Sequence, residues 1–433
     1  LGNFATVDAP GVAGLRKTQL QQLAHEGMEP LYREIELPLV RVLFDMEQEG
    51  FQVDREPLIE MGQRFTDQTR QLQEEIYQLT GVKGFNINSP QQLGKVLFED
   101  LGLPSRRKTR TGWSTDADTL EGLREMHPAV DKILAYRQIV KLNGTYIDGL
   151  LRKVDDTGRI HTTFDQTGTS TGRISSNEPN LQNIPIRTEM GREIRRAFVA
   201  KPGYVLVDGD YSQIELRVLA HMSGDEAMCD AFNRGQDIHT RTAAEINGVP
   251  MQQVTGAMRS AAKAVNFGIV YGISDFGLAN NIGVSRKRAA DFISRYFERY
   301  PKVQAFMENA KKDGYQNGYA TTLYGRRRWL KELKSSNANL RNFGERAAMN
   351  TPIQGTAADI IKAAMVRVHR RLQESGLKSR LILTVHDELL IEALEEEATQ
   401  VASLLRDSME NVIDLSVPLV SDIKTGRSWY DTK

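Results

Sequence analysis

The 433-residue sequence has little that would cross-link the chain or place it in a membrane. Its single cysteine, Cys229, cannot form a disulfide within the chain. No run of about 18 apolar residues occurs, so a membrane-spanning helix is not expected. The first residues lack the basic-then-apolar order of a signal peptide. With 40% hydrophobic and 26% charged residues, the composition indicates a folded protein, expected in a reducing, cytoplasmic setting.

The sequence also lacks a net charge, because 56 basic residues balance 56 acidic ones. The two signs are unevenly distributed along the chain. Residues 251–346 contain 17 Lys and Arg against 7 Asp and Glu, whereas residues 385–433 contain 4 against 11. Most such charges only solvate helix surfaces. A polyanionic partner together with a metal-binding carboxylate site would produce the same asymmetry.

Acidic residues follow two segments that have the pattern of β-strands. The apolar run from Tyr204 to Val207 ends at Asp208-Gly209-Asp210, and His386-Asp387-Glu388 separates the two apolar runs of a predicted hairpin. Taken alone, acids at strand ends are most often turn formers or caps. If the fold joined the two segments, their oxygens would suit hard divalent cations such as Mg²⁺. A pair of such ions supports phosphoryl transfer.

A predicted helix near residue 265 carries cations and aromatic rings on one face. Arg259, Lys263, Phe267 and Tyr271 follow one another at intervals of four residues, which places them along one side of a helix. Cations complement phosphates and rings stack on bases or sugars, so this face suits a nucleoside triphosphate. For an isolated helix, the alternative that the rings are core and the cations are surface is equally reasonable.

Three segments of the sequence have the form of short motifs. Residues 210–217 read Asp-Tyr-Ser-Gln-Ile-Glu-Leu-Arg, residues 259–272 contain the helical stripe followed by glycine, and residues 385–389 read Val-His-Asp-Glu-Leu. These segments resemble motifs A, B and C of the family A DNA polymerases, the group of bacterial DNA polymerase I. The motifs occur in the family's order, and the resemblance extends from about Leu31 to the end of the sequence. Further matching stretches are Thr171–Arg173, Pro179–Pro185, Asp237–Thr240, Tyr324–Arg328 and Gln354–Asp359.

The resemblance implies a mixed α/β (α+β) fold with the right-hand architecture of polymerases: a palm with an antiparallel sheet, helical fingers and a helical thumb. The expected division is an N-terminal remnant or linker (1–30), a palm-associated segment (31–49), the thumb and its connection to the palm (50–185), the palm with motif A (186–220), the fingers with motif B (221–358) and the palm with the motif C hairpin (359–433).

The resemblance also implies roles for individual residues. The expected catalytic residues are Asp210, Asp387, Lys263 and Arg259. Two Mg²⁺ ions are expected at a group formed by Asp210, the backbone carbonyl of Tyr211, Asp387 and the nearby Glu388. The expected nucleotide-binding residues are Gln213, Glu215, His239, Arg259, Lys263, Phe267 and Tyr271. The expected contacts to primer and template are Arg173, Arg187, Arg346, Asn350, Gln354 and His386.

The function implied is a template-directed DNA polymerase that extends a primer 3′ end with deoxynucleoside triphosphates by two-metal-ion phosphoryl transfer and releases pyrophosphate. We expect a monomer that acts on primer–template DNA at the nucleoid. We expect no proofreading exonuclease, since no such domain fits before the thumb. One alternative is a single-subunit RNA polymerase or a reverse transcriptase, although Glu215 argues against ribonucleotide use. Another is a catalytically silent nucleic-acid-binding module, which would not need Asp210, Asp387 and Lys263 together.

Two acidic residues have more than one interpretation. Asp208 stands where the family usually has a small residue. We expect it to be a bystander, the alternative being that it perturbs metal binding from the same strand face as Asp210. Glu215 resembles the family's steric gate against a ribose 2′-OH, and Ser212-x-x-Glu215 also fits a helix capping box. Both roles are possible at once.

Overall fold

The computed structural model describes residues 2–104, 108–109, 112–186 and 188–433. Arg187, one of the predicted DNA contacts, lies outside the described residues. Among the residues that are described, no helix has the length and hydropathy needed to cross a membrane.

Helices make up most of the described chain. They are α1 (Gly2–His25), α2 (Glu29–Leu31), α3 (Leu37–Glu49), α4 (Arg55–Thr80), α5 (Pro90–Lys95), α6 (Ala117–Glu121), α7 (Pro128–Leu142), α8 (Asp148–Leu151), α9 (Glu189–Ile194), α10 (Ile214–Ser223), α11 (Glu226–Asn233), α12 (Ile238–Asn247), α13 (Gly256–Val270), α14 (Asp275–Ile282), α15 (Arg286–Arg299), α16 (Pro301–Asn317), α17 (Ala338–Glu374) and α18 (Ala398–Glu410).

The described strands are short except in one sheet. They are β1 (Phe51–Gln52), β2 (Lys108–Thr109), β3 (Gly112–Trp113), β4 (Arg159–Ile160), β5 (Thr163–Asp165), β6 (Ser175–Asn177), β7 (Tyr204–Tyr211), β8 (Tyr319–Thr321), β9 (Arg327–Trp329), β10 (Arg380–Val385), β11 (Glu388–Leu394) and β12 (Ser421–Gly426). The pairs β1–β4, β2–β3, β5–β6 and β8–β9 form two-stranded sheets.

The four-stranded sheet has the order β10-β11-β7-β12, and each neighbouring pair is antiparallel. β7 and the β10–β11 hairpin confirm the strands predicted from the apolar runs. β7 is longer than its predicted core, because it continues through Asp210 to Tyr211. β11 begins at Glu388, so His386 and Asp387 alone form the turn of the hairpin.

The sheet packs against a core that includes the longest helix. α17 has 37 residues, and every residue from Thr351 to Lys362 is buried. α17 contacts α3, α10, α16 and α18, so it connects the sheet to the helices that follow motif A. The antiparallel sheet with surrounding helices confirms the mixed α/β fold class.

A separate apolar core lies between α4 and α7. Its buried members include Ile76, Phe85, Leu93, Ile133 and Tyr136. This helical region falls within residues 50–185, which the resemblance assigns to the thumb. This region therefore has an apolar core of its own.

Candidate active site

The acidic ends of two chain segments meet at one edge of the four-stranded sheet. Asp210 on β7 lies directly opposite Glu388 on β11. The N–H of Tyr211 donates a hydrogen bond to the carbonyl of Asp387 across 3.1 Å. The fold thus brings motif A and the hairpin turn together, although about 175 residues separate them in the sequence.

Both aspartates at this edge have raised pKa values. Burial raises the pKa of Asp210 to about 6, an effect that Lys433 opposes and Glu388 reinforces. Burial and repulsion from Asp210 raise the pKa of Asp387 to about 7. Neighbouring desolvated carboxylates favour their charged forms when a cation lies between them. The pair therefore has the electrostatic character of a cation site.

The oxygen donors at this edge fit a Mg²⁺ site in which the protein supplies only one or two carboxylates. Within the described part of the chain, no group of three or more His, Cys, Asp or Glu side chains is arranged to hold a metal ion. Mg²⁺ is commonly bound through one or two carboxylates, with waters and substrate phosphates filling the remaining positions. Asp210 and Asp387 supply that number of carboxylates. The Tyr211 hydroxyl donates to the Met409 carbonyl at 2.6 Å, which leaves only the backbone of Tyr211 for this edge.

A cavity of about 440 Å³ lies against α13, and we call it the α13 cavity. Its walls contain every residue predicted to bind nucleotide, two predicted DNA contacts, one aspartate predicted to be catalytic and one further apolar residue, Ile214. The full set is Arg173, Gln213, Ile214, Glu215, His239, Arg259, Lys263, Phe267, Tyr271, His386 and Asp387.

A second cavity, of about 890 Å³, is also lined by the residues of the hairpin turn, and we call it the strand-end cavity. Asp210, Asp387 and Glu388 line it, together with polar residues from the segment after α7 and from the segment before α9. Asp387 lines both cavities. The two spaces therefore meet at the acidic edge of the sheet.

His239 is buried behind the cations of α13. Its ring contacts Phe267, with the ring centroids 5.6 Å apart. Burial lowers the pKa of His239 to about 4, so the ring is neutral at pH 7. The amide nitrogen of Asn266 donates to Nδ1 across 3.0 Å, which leaves the proton of the neutral ring on Nε2.

The predicted capping box at Glu215 is wrong. The cap position of α10 is Gln213, whose φ is 57° and whose side chain makes no capping hydrogen bond. The carboxylate of Glu215 instead accepts from Nη2 of Arg173 at 2.6 Å and from the hydroxyl of Tyr271 at 3.1 Å. A charged partner and a phenol from distant segments outcompete the local backbone N–H, so Glu215 faces the α13 cavity.

Three of the predicted DNA contacts lie on one face of α17. Arg346, Asn350 and Gln354 follow one another at intervals of four residues. Arg346 lines a third cavity together with Tyr271 and Gly272. The Oδ1 atom of Asn350 is buried and has no hydrogen-bond partner. This face of α17 is therefore continuous with the end of α13.

The chain matches the family model for DNA polymerase family A over residues 55–431. The chain belongs to DNA polymerase family A. DNA polymerase I of Caldicellulosiruptor bescii is 54% identical over 404 residues, which are 93% of this chain and 47% of that protein. DNA polymerase I of Bacillus subtilis (strain 168) is 51% identical over 427 residues, which are 98% of this chain and 48% of that protein. The chain thus spans about half the length of these curated relatives.

Among solved structures, the POL domain of Pol1 from M. smegmatis, in complex with DNA primer-template and dNTP, is similar over 98% of this chain and 75% of that chain. The TM-score is 0.93 at 44% sequence identity. These matches confirm the resemblance to family A and the polymerase-domain fold. The roles of individual site residues in this family A chain stay predictions.

Two residues at the acidic edge have more contacts than the sequence indicated. Asp208 was expected to be a bystander, and Lys433 was not singled out. Asp208 is buried, and burial together with repulsion from Glu388 raises its pKa to about 7. Lys433 forms ion pairs with both of these acids. The i, i+2 spacing of Asp208 and Asp210 signalled a shared strand face. Nothing in the sequence indicated that Lys433 would contact Asp208 and Glu388, because these contacts depend on the complete fold.

Proposed function

We propose that this family A chain is a template-directed DNA polymerase that adds deoxynucleotides to a primer 3′ end. The observation that supports it best is the position of Asp387, which lines both the α13 cavity and the strand-end cavity. A triphosphate in the first cavity and a primer terminus in the second would meet at Asp210 and Asp387. Synthesis is the only reaction that we assign to this pair, without removal of nucleotides.

In this proposal, Asp210, Asp387 and the carbonyl of Tyr211 hold two Mg²⁺ ions. When bound, such ions supply positive charge to the attacking and leaving oxygens of phosphoryl transfer. The primer 3′-OH loses its proton to water, and its oxygen forms a bond to the α-phosphorus of the nucleotide. The bond from the α-phosphorus to the oxygen that bridges to the β-phosphorus breaks, and pyrophosphate leaves with that oxygen. Burial raises the pKa values of Asp210 and Asp387. A divalent cation between the two carboxylates would offset this cost of burying their charged forms, which supports this assignment.

The α13 face would bind the triphosphate. Lys263 and Arg259 lie one helical turn apart in the same cavity, where they can neutralise charge that accumulates on pyrophosphate. Arg259 already contacts Asp237 at 2.7 Å, so the nucleotide would share this cation with a carboxylate. His239 can donate to a phosphate oxygen through Nε2 without adding a second charge.

The polymer would occupy the surfaces around these cavities. Arg173, His386 and the α17 residues Arg346, Asn350 and Gln354 are proposed to contact primer and template. Most such contacts should recognise phosphates and duplex shape, because a polymerase accepts any sequence. We also propose the division into thumb, fingers and palm given above, and a monomer, since one chain supplies every proposed site residue.

The first prediction tests the paired aspartates. Asp210→Ala and Asp387→Ala should each reduce primer extension by at least about a thousandfold, because each carboxylate supports both ions. Primer–template binding should persist. Extension is measured with Mg²⁺ on DNA and RNA templates in parallel, which also decides the template type.

The matched control is Asp291→Ala. Asp291 is an exposed acid on α15, paired with Arg295 one turn away, and its loss should leave extension unchanged. Near-native extension by either Asp210→Ala or Asp387→Ala would contradict the proposed function.

A further inference from the structure

Two buried acids lie directly beside the proposed catalytic pair. Asp208 is 2% exposed and Glu388 is 6% exposed. Asp208 and Asp210 share one face of β7, and Glu388 lies opposite Asp210 on the neighbouring strand. A divalent ion at Asp210 therefore has two further carboxylates within reach, unless something holds them in place.

The cation that holds them is Lys433. Its Nζ lies 2.8 Å from Oε2 of Glu388 and 3.0 Å from Oδ2 of Asp208. An ammonium group placed between two buried carboxylates opposes their mutual repulsion. Asp208 thus gives Lys433 a second partner that a small residue at this position would not provide.

The other oxygen of Glu388 is also occupied. The indole N–H of the buried Trp429 donates to Oε1 of Glu388 across 2.7 Å. The guanidinium of Arg195 lies 3.9 Å from the centre of the Trp429 ring, and Arg195 is itself 3% exposed. Both oxygens of Glu388 therefore face groups of the protein rather than the space between Asp210 and Asp387.

We propose that Lys433 and Trp429 are positioning residues that keep Glu388 out of the metal-ligand set, and that Asp208 anchors Lys433 in this role. This inference rests on the proposed function, since it concerns the same ions. It gives Asp208 a role other than that of a bystander. Without Lys433, the freed Glu388 becomes an additional oxygen ligand, and the site binds divalent ions more tightly but in a different geometry.

The experiment compares Glu388→Gln in two backgrounds. Binding of Mn²⁺ to protein without DNA or nucleotide is followed by electron paramagnetic resonance of the free ion. In the wild-type background, Glu388→Gln should lower the Mn²⁺ affinity much less than in the Lys433→Met background, because in the wild type Glu388 acts only through its charge and not as a ligand. Lys433→Met should raise the affinity by about tenfold, and Glu388→Gln in the Lys433→Met background should cancel this gain.

The comparison separates positioning from a simple change of charge. A purely electrostatic effect of Lys433 would make Glu388→Gln act equally in both backgrounds, and that result would overturn the proposal. So would an Mn²⁺ affinity that Lys433→Met leaves unchanged. Lys424→Met is the matched control: Lys424 lies on β12, pairs with Asp422 and does not contact Glu388, so its removal should not alter the Glu388→Gln effect.

Two more variants are needed. One tests whether Asp208 holds Lys433 in place, and the other replaces Lys433→Met if that variant does not fold. Asp208→Asn removes one of the two partners of Lys433, so the effect of Glu388→Gln should exceed its wild-type value; an unchanged effect would refute the anchoring role of Asp208. If Lys433→Met does not fold by circular dichroism, Lys433→Arg replaces it. This variant keeps the charge, and a large effect of Glu388→Gln in it would contradict the proposal.

Primer extension by the wild-type protein is measured alongside. Its absence would refute the proposed function, whereas the Mn²⁺ pattern alone decides the role of Lys433. The two ideas can therefore fail separately.

Discussion

Glu215 connects three segments of the chain through one carboxylate. It belongs to the first turn of α10, but its partners are Arg173 and Tyr271. Its carboxylate accepts hydrogen bonds from these two side chains and not from the backbone N–H groups at the start of α10. If the proposed function holds, a side chain fixed in this way would lie beside the sugar of the nucleotide, as a gate against a 2′-OH requires.

The second prediction follows from this position. Glu215→Ala should raise the use of a ribonucleotide relative to its deoxy counterpart by at least about tenfold, since discrimination of this kind depends on clashes and unpaired polar groups. The measurement is the ratio of kcat/KM values for the two substrates. Tyr271→Phe is the control, because it removes the hydrogen bond to Glu215 and keeps the ring. An unchanged ratio in Glu215→Ala would mean that Glu215 does not exclude ribonucleotides and only contacts Arg173 and Tyr271.

The third prediction concerns the ionisation of His239. Its folded pKa of about 4 lies below the ordinary value of 6.5, so the unfolded chain binds a proton that the folded chain does not between these pH values. The stability that a neutral His239 contributes is therefore complete above pH 6.5 and is lost as the pH falls toward 4. Between pH 7.5 and pH 5 the loss should be about 2 kcal/mol.

The measurement for His239 is the free energy of unfolding in urea at both pH values. His239→Gln cannot gain this proton, so its stability should fall less than that of the wild type over the same interval, by about the same 2 kcal/mol. Parallel losses in the two proteins would show that His239 does not titrate with a lowered pKa.

At the scale of elements, the β10–β11 hairpin places Asp387, a proposed metal ligand, by means of an unfavourable backbone. His386 has a φ of 57°, a region that glycine adopts readily and other residues seldom do. The two-residue turn leaves Asp387 at its tip with Tyr211 bonded behind it. The backbone of His386 thus determines where Asp387 lies. His386 itself lines both cavities.

The fourth prediction separates these two functions of His386. His386→Gly and His386→Ala both remove the side chain, so each should weaken primer–template binding to the same degree if the imidazole contacts DNA. The Gly variant should melt no lower than the Ala variant, because only Ala keeps the strain of a positive φ. The checks are equilibrium binding and thermal melting. Unaltered binding in both variants would remove His386 from the DNA contacts.

The sequence predicted those elements whose pattern is local. β7 and the hairpin follow from apolar runs bounded by turn residues, and the stripe on α13 follows from four-residue spacing. The same local reasoning failed at Glu215, because tertiary partners replaced the capping bond. It also could not find Lys433, whose partner Asp208 lies more than 200 residues away in the sequence. Contacts of that kind depend on strand pairing across the whole chain, which no periodicity encodes.

At the scale of the molecule, the net charge is zero, but basic and acidic residues are concentrated in different segments of the chain. The basic excess of residues 251–346 includes α13 and the first turns of α17. Residues 385–433 contribute Asp387, Glu388 and Asp422 to the edge of the sheet at Asp210. The α13 cavity has Arg259 and Lys263 on its walls together with Asp387. In the proposed function, the cations would attract an anionic substrate and the acidic edge would attract divalent ions.

The fifth prediction concerns how salt weakens the binding of primer–template DNA. Each phosphate that a cation of the protein neutralises contributes about 0.7 to 0.9 to the slope of log affinity against log salt concentration. Arg346→Ala should therefore make the slope shallower by about that amount, because Arg346 lies beside Tyr271 at the end of α13. Arg234→Ala is the matched control, since Arg234 is exposed, pairs with Asp230 and lies outside the proposed DNA contacts. Fluorescence anisotropy of labelled primer–template between low and moderate salt gives both slopes. Equal changes in the two variants would mean that overall charge controls DNA binding, and an unchanged slope in Arg346→Ala would place its guanidinium away from any phosphate.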